Sequence, residues 1–183
     1  FLSLGFDQLL QHSSKIELMY NRKVHCPITI RTPMGGKRGY VPTHSQSIEK
    51  HFLGIPNLGV IALHHRVDPE IIYGRIFENR TSPFLVIENK ILYTLKTKRP
   101  LIPLYLYQYD NMQFPNLLIK PSDKEIKSEI SIICYGETLN VIENVAYKLM
   151  MEEEIFIEII CPLIISENII LDEVSTEKVI IIE

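Results

Sequence analysis

Apolar positions in this chain follow two periods in alternation. Positions 6, 9, 10, 13 and 16 fall at helical spacing and predict an amphipathic helix from about Leu4 to Met19, with Asn21-Arg22 turning the chain behind it. The run Val24 to Ile30, rich in β-branched residues, predicts a buried strand. A helix is expected from Ser45 or Ser47 through Phe52, stopped by Gly54-Ile55-Pro56-Asn57-Leu58-Gly59, and Val60 to Leu63 reads as the next buried strand. Asp68-Pro69-Glu70 is a strong helix start: a capping carboxylate, a proline at the first helical position and an acid in the first turn. That helix should reach about Asn79, and Pro83 to Ile87 should follow as a third strand. Strand and helix alternating over short connections imply parallel pairing with right-handed crossovers, an α/β layer fold.

From Thr94 to Lys127 the pattern breaks, with Pro100, Pro103, Pro115 and Pro121 interleaved among tyrosines. This reads as an interdomain connection, residues 94–127, in which the alternation of Leu104 to Tyr107 supports one strand. A second α/β unit follows over residues 128–183. Its expected parts are a strand from Ile130 to Tyr135, a tight turn at Gly136, a helix from Leu139 to Met151 and a strand from Ile155 to Ile160 ended by Pro162. A short helix near Ser166 to Leu171 and a strand from Val179 to Ile182 complete it. No internal repeat or low-complexity tract is present.

Composition narrows the class without naming it. The 183 residues are 46% hydrophobic and hold eleven prolines, enough for one or two small cores. A net charge of −3 gives no sign of nucleic acid or membrane surface as partner, and no apolar run is long enough to span a bilayer. Cys26, Cys134 and Cys161 are widely spaced and odd in number, which fits reduced thiols filling cores in a cytosol-like compartment, or an organelle matrix in a eukaryote. The chain opens on Phe1-Leu2-Ser3-Leu4 and closes on a strand-like run, so it reads as a piece of a longer chain.

Residues 31–51 join a strand to a helix, a place where sites are built. Glycines at 35, 36 and 39 permit positive φ and close backbone approach, and Arg31, Lys37 and Arg38 bring positive charge to the same loop. Neither G-x-x-x-x-G-K-[ST] nor G-x-G-x-x-G aligns, which argues against a phosphate-gripping loop. Thr43-His44-Ser45-Gln46-Ser47 sits where a helix should begin, with Ser or Thr as N-cap, and this would hold His44 at the helix entrance.

Arg31-Thr32-Pro33-Met34-Gly35-Gly36, then Arg38-Gly39-Tyr40 and Pro42-Thr43-His44-Ser45-Gln46-Ser47, then His51-Phe52 and Ile55-Pro56, resemble the beta subunit of the thiamine-diphosphate-dependent first component of 2-oxo acid dehydrogenase complexes. The family includes the pyruvate and branched-chain enzymes. The resemblance is close from Phe1 to Tyr93 and looser from Ser131 onward, toward the C-terminal domain shared with transketolase. It implies a partial pyrimidine-binding domain over residues 1–93 and a partial transketolase C-terminal-like domain over 128–183.

The resemblance also implies chemistry. Decarboxylating a 2-oxo acid leaves a carbanion equivalent that no side chain can delocalise, so an electron-sink cofactor is needed, here thiamine diphosphate. In this family the beta subunit holds the aminopyrimidine half, and the alpha subunit binds the diphosphate and magnesium. The two chains assemble as an α2β2 heterotetramer that passes its acyl group to the lipoyl arm of an acyltransferase second component. The chain alone would then be inactive. His44 matches the family's active-site histidine, which serves substrate binding and acyl transfer; an imidazole can donate or accept near neutral pH. Phe1 matches the aromatic that packs on the aminopyrimidine, and the family's activating glutamate would lie upstream of it. The main-chain carbonyls of Ile28, Arg75, Ile76, Glu78 and Arg80 match positions that hold a structural potassium ion, although the loop Asn79-Arg80-Thr81-Ser82 is longer than the usual form. Alternatives are another two-chain thiamine-diphosphate enzyme of the acetoin dehydrogenase type, or a noncatalytic α/β interaction module.

Other candidates have plainer readings. His64-His65 invites a metal, but neighbours on an extended chain point to opposite faces and no third ligand has suitable spacing, so they are expected on the surface. Lys37-Arg38 fits a solvated loop, and Glu152-Glu153-Glu154 an exposed helix end. Tyr105, Tyr107 and Tyr109 suggest base stacking only until the lack of a basic groove is noticed.

Overall fold

The computed structural model describes residues 2–36, 39, 41–96, 102–165 and 174–183. In it the parallel pairing expected of the first half is realised as a three-stranded sheet of β1 (Thr29–Met34), β2 (Gly59–Ala62) and β3 (Phe84–Asn89), in the order β1-β3-β2. Phe84 of β3 stands opposite Thr29 on one side and Gly59 on the other. All six residues of β3 are buried, as a central strand covered on both faces requires. Phe84 and Val86 pack with Ile72 and Ile76 of the helix that joins β2 to β3, while Leu85 and Ile87 face Leu9, Phe52 and Leu58. A Cβ on Gly59 would meet the Phe84 ring at 2.5 Å, so the strand start tolerates only glycine without repacking.

Helix α2 (Pro69–Glu78) begins as its sequence dictates: Asp68 accepts a hydrogen bond from the Glu70 amide at 2.9 Å, and Pro69 needs none. A longer helix, α3 (Thr138–Glu153), follows a left-handed Gly136 and buries Leu139, Ile142, Ala146 and Met150 against a second sheet. That sheet has five strands in the order β4-β5-β7-β6-β8: β4 (Tyr105–Tyr109), β5 (Leu117–Pro121), β6 (Ile130–Cys134), β7 (Ile157–Cys161) and β8 (Val179–Ile182). β6 pairs parallel with β7 and β8, and the β4-β5 hairpin joins antiparallel through β5. Together these give a mixed α/β fold with mostly parallel sheets. Among the described residues no helix is long and apolar enough to cross a membrane.

Several local expectations change. The first helix is broken into a 3-10 turn (Leu2–Gly5), a π-helical stretch (Gln8–Ser13) and one α turn, α1 (Ile16–Met19). Ser14 explains the break, because its Oγ donates to the Leu10 carbonyl and competes with the helical ladder. The first strand is Thr29–Met34 and not Val24–Ile30; pairing with β3 sets its limits, and Pro33 is accommodated because β1 lies at the edge of the described sheet. The helix expected from Ser45 or Ser47 is two single 3-10 turns, Pro42–His44 and Glu49–His51, so His44 ends a turn and does not open a helix. Tyr105 to Pro121, expected within a connection, supply two strands of the second sheet, and Tyr105 accepts a hydrogen bond from the Ile157 amide. The expected helix at 166–171 and the Lys37-Arg38 pair lie outside the described residues. Cys134 and Cys161 are buried and Cys26 is half-buried, all as free thiols.

The two sheets meet along β2. The Ala62 amide donates to the Leu163 carbonyl and the Ile165 amide to Val60, so residues 163–165 cover the edge of the first sheet. Tyr109 donates to the Arg66 carbonyl at 2.7 Å, and Arg75 to the Gln113 carbonyl at 2.8 Å.

Candidate active site

In an open α/β sheet, the carboxyl ends of parallel strands are where ligands gather. Here those ends are Met34, Ala62 and Asn89. Gly35 leaves β1 with φ of 85°, and a Cβ there would sit 2.0 Å from Nδ2 of Asn89. Past this close approach the Gly35 amide faces the Gln46 carbonyl at 3.4 Å, which brings the residues just before His51 back to the end of β1. Lys90, the first residue past β3, donates from its amide to Met34 at 3.1 Å and from Nζ to the His44 carbonyl at 2.7 Å. The His44 main chain is thus pinned to the carboxyl edge while its imidazole is exposed. Phe1 lies outside the described residues.

The potassium candidates are at the opposite, amino-terminal edge. The Ile28 carbonyl accepts from the Phe84 amide at 2.9 Å, and the carbonyls of Arg75 and Ile76 accept from Asn79 at 3.3 and 3.1 Å. A hollow of about 130 Å³ lies beside them, bordered by Ile76 and Arg80 among others. The unusual loop is ordered by Asn79, whose Oδ1 takes the amides of Thr81 and Ser82 and the Thr81 hydroxyl. Among the described residues no group of three or more His, Cys, Asp or Glu side chains could hold a metal ion.

Two polar clusters escaped the sequence reading. On the α2 face of the carboxyl edge, Glu88 is 5% exposed and accepts from Arg31 Nε at 2.9 Å and Nη2 at 3.0 Å, from Tyr93 at 2.7 Å, and from Tyr73. Burial pushes its carboxyl up, but these bonds outweigh burial and hold it below the usual carboxylate range. Burial and the same carboxylate push the Tyr93 phenol up to about 12. The second cluster corrects the expectation that His64-His65 is a surface pair: they are 2% and 6% exposed. Glu143 of α3 receives His65 Nε2 at 2.9 Å and both Nε and Nη2 of Arg66, at 2.8 and 2.9 Å. Burial raises the Glu143 carboxyl, and the bonds from His65 and Arg66 bring it below its ordinary value. The available signal was Glu143 itself, a charge on the apolar stripe of α3 between Leu139 and Ala146. Nearby, Glu49 is buried and accepts from Tyr135 at 2.8 Å, tying the loop behind His44 to the second sheet.

The fold that carries this edge is the transketolase fold: a transketolase from Pichia stipitis superposes on 97% of the chain and 26% of its own length, with a TM-score of 0.60 at 16% identity. By sequence the chain is similar to the beta subunits that the loop block resembles. The acetoin:2,6-dichlorophenolindophenol oxidoreductase subunit beta of Bacillus subtilis (strain 168) is 30% identical over 101 residues, 55% of this chain and 29% of that protein. The pyruvate dehydrogenase E1 component subunit beta of Gracilaria tenuistipitata var. liui is also 30% identical over 101 residues, 55% of this chain and 31% of that protein. The matched stretch therefore spans about three tenths of the length of these relatives. No family model matches the chain.

Proposed function

We propose that the chain is part of a beta-type subunit of a 2-oxo acid dehydrogenase, taking part in oxidative decarboxylation of a 2-oxo acid and acyl transfer to lipoamide. What carries the reading is the loop that resembles the beta subunits, pinned across the carboxyl edge with His44 presented to solvent. Residues 1–93 serve as the pyrimidine-binding part, 94–127 as the connection and 128–183 as the partner-docking part. The partners are an alpha subunit in an α2β2 assembly and a lipoyl-bearing acyltransferase.

Thiamine diphosphate, when bound, supplies the electron sink that decarboxylation requires. The edge suits such a group: its backbone is fixed by the Gly35–Asn89 contact and the Lys90 bond, and the exposed imidazole is free to turn toward a ligand. Phe1 is assigned to the aminopyrimidine, magnesium and the diphosphate to the alpha subunit. His44 orients the substrate carboxylate by hydrogen bonding and gives a proton to the sulfur released as the lipoyl dithiolane opens. Potassium on the carbonyls of Ile28, Arg75, Ile76, Glu78 and Arg80 belongs to the same reading, since each carbonyl that accepts an amide keeps a second lone pair.

The test is 2-oxo-acid-dependent reduction of an artificial electron acceptor by the full-length chain co-expressed with a candidate alpha subunit. Turnover that needs the cofactor, both chains and His44 is expected. His44→Ala should impair transfer to lipoamide more than it weakens cofactor binding, a loss in the transition state and not the ground state. No turnover from a well-formed heterotetramer would move the chain to a noncatalytic interaction module. The similarity to the acetoin oxidoreductase subunit favours, as a second reading, an acyloin-cleaving two-chain enzyme, so acetoin belongs in the substrate panel.

A further inference from the structure

A hollow of about 320 Å³ opens between the β2–α2 connection and the turn after β3, within the size range of small-molecule sites. Leu63, Val67, Pro69, Leu92 and Leu95 give it an apolar wall, and Arg31 and Glu88 line it as an ion pair. The two charges are not presented equally. The Arg31 side chain is 63% exposed and the Glu88 side chain 6%, so the group that a ligand meets is the guanidinium, with the carboxylate covered. An ion pair met from one end attracts, at short range, a charge opposite to the one it shows, although its net charge is zero.

Arg31 is held in place with donors to spare. Its Nε and Nη2 donate to Glu88 at 2.9 and 3.0 Å, and Nε also reaches the Tyr73 hydroxyl at 3.1 Å. The guanidinium carbon lies 5.3 Å from the centre of the Tyr73 ring. Both hydrogens of Nη1 and the second of Nη2 carry no bond among the described residues. They form the outer end of the guanidinium fork, whose geometry takes both oxygens of a carboxylate. Glu88 and Tyr73 have already ordered the side chain, so a ligand bound there does not bear that entropy cost. The Glu88 oxygens are filled by Arg31, Tyr73 and Tyr93, which leaves a cationic ligand no acceptor of its own. One guanidinium beside a covered carboxylate suits a monoanion; a dianion would meet the Glu88 charge without a second cation to offset it.

We propose that this hollow binds a small monocarboxylate, its two oxygens on the outer end of Arg31 and its short branched or aromatic body against the leucine wall. None of the described lining residues belongs to the loop of residues 35–51, so the site does not rest on the reading of His44. Saturation-transfer NMR and calorimetry on the full-length chain test it, with isovalerate and benzoate as probes, isovaleramide as the neutral isostere and inorganic phosphate as a competing anion. Saturable binding of at least one acid, about tenfold tighter than isovaleramide, is expected, and it should weaken as salt is raised. Arg31→Gln should abolish the preference for the acid, and Arg31→Lys, which keeps the charge and loses the fork, should retain part of it. Leu95→Trp should block the hollow without touching a polar group. Equal binding of acid and amide, phosphate binding as tight as the acids, no acid binding, or acid binding unchanged by both Arg31→Lys and Leu95→Trp would overturn the proposal. So would acid binding lost in His44→Ala and kept in Leu95→Trp, which places the carboxylate on the edge loop instead.

Discussion

The three-stranded sheet gathers buried polar groups at the carboxyl edge, where Glu88, His64, His65, Arg66 and Asn89 lie within or just past the strands. The five-stranded sheet, larger and with a core drawn from Ile102 to Cys161, settles its buried polar groups among themselves or sends them across the interface. Glu158 is bonded by Ser131 and by the Ser175 amide and hydroxyl, a closed network, whereas Glu143 reaches from α3 to His65 and Arg66. The first sheet holds the candidate chemistry, then, and the second sheet supplies part of the counter-charge that lets it stay buried. A three-stranded sheet has too little interior of its own to bury such a pair of histidines and an arginine.

Removing that counter-charge should have the largest effect. Glu143→Ala leaves Arg66 and His65 facing an uncompensated cavity and should cost about 3–5 kcal/mol in urea unfolding of the full-length chain. A loss under about 1 kcal/mol would mean the two sheets are not coupled through this cluster.

Acid should find the same weakness. With His64 near 3 folded and 6.5 unfolded, the unfolded chain takes up a proton in that window and the folded chain does not. Stability should therefore fall as pH drops from 6.5 toward 3, by on the order of 4 kcal/mol in total. Glu143, held below its ordinary value, contributes stability that is present above the unfolded carboxylate range and lost as pH falls through the folded value, so it steepens the lower end. His64→Gln should flatten the slope between pH 6.5 and 5 in urea midpoints; an unchanged slope would remove His64 as its source.

Gly35→Ala sharpens the comparison at the loop. The added Cβ collides with Asn89 and the residue is held at positive φ, so about 1–3 kcal/mol should be lost. Adding Asn89→Ala should recover only part of this, because the backbone strain remains; full recovery would show the collision to be the whole cost. The smallest effect belongs to Tyr109→Phe, which removes a half-exposed hydroxyl from the Arg66 carbonyl and should cost about 0.5–1.5 kcal/mol in the same unfolding assay.

The order of strands and helices was legible along the chain because each element carries its own period. Asp68-Pro69-Glu70 set the start of α2, Gly136 the turn before α3, and continuous apolar runs the buried strands β3 and β7. The loop of residues 31–51 was legible as a strand exit rich in glycine with a histidine among polar residues, and its likeness to the beta subunits lay in the order of those residues. Strand register was not legible: β1 moved to Thr29–Met34 because pairing with Phe84 to Asn89, distant in sequence, decides which part of an extended segment is strand. The first helix kept its place but not its form, since a local competition at Ser14 is invisible to periodicity.

The sequence by itself determined the layer architecture, the starts of α2 and α3 and the glycine-bearing loop, all products of interactions among residues close along the chain. Only the tertiary structure decided the fate of His64 and His65. Two adjacent polar residues read as surface until Glu143, 78 positions from His65, bonds His65 and Arg66, and the Arg66 amide bonds His64. Desolvating a polar group is tolerable only where a partner waits, and the partner's position is set by the packing of α3 across the interface, not by any local pattern.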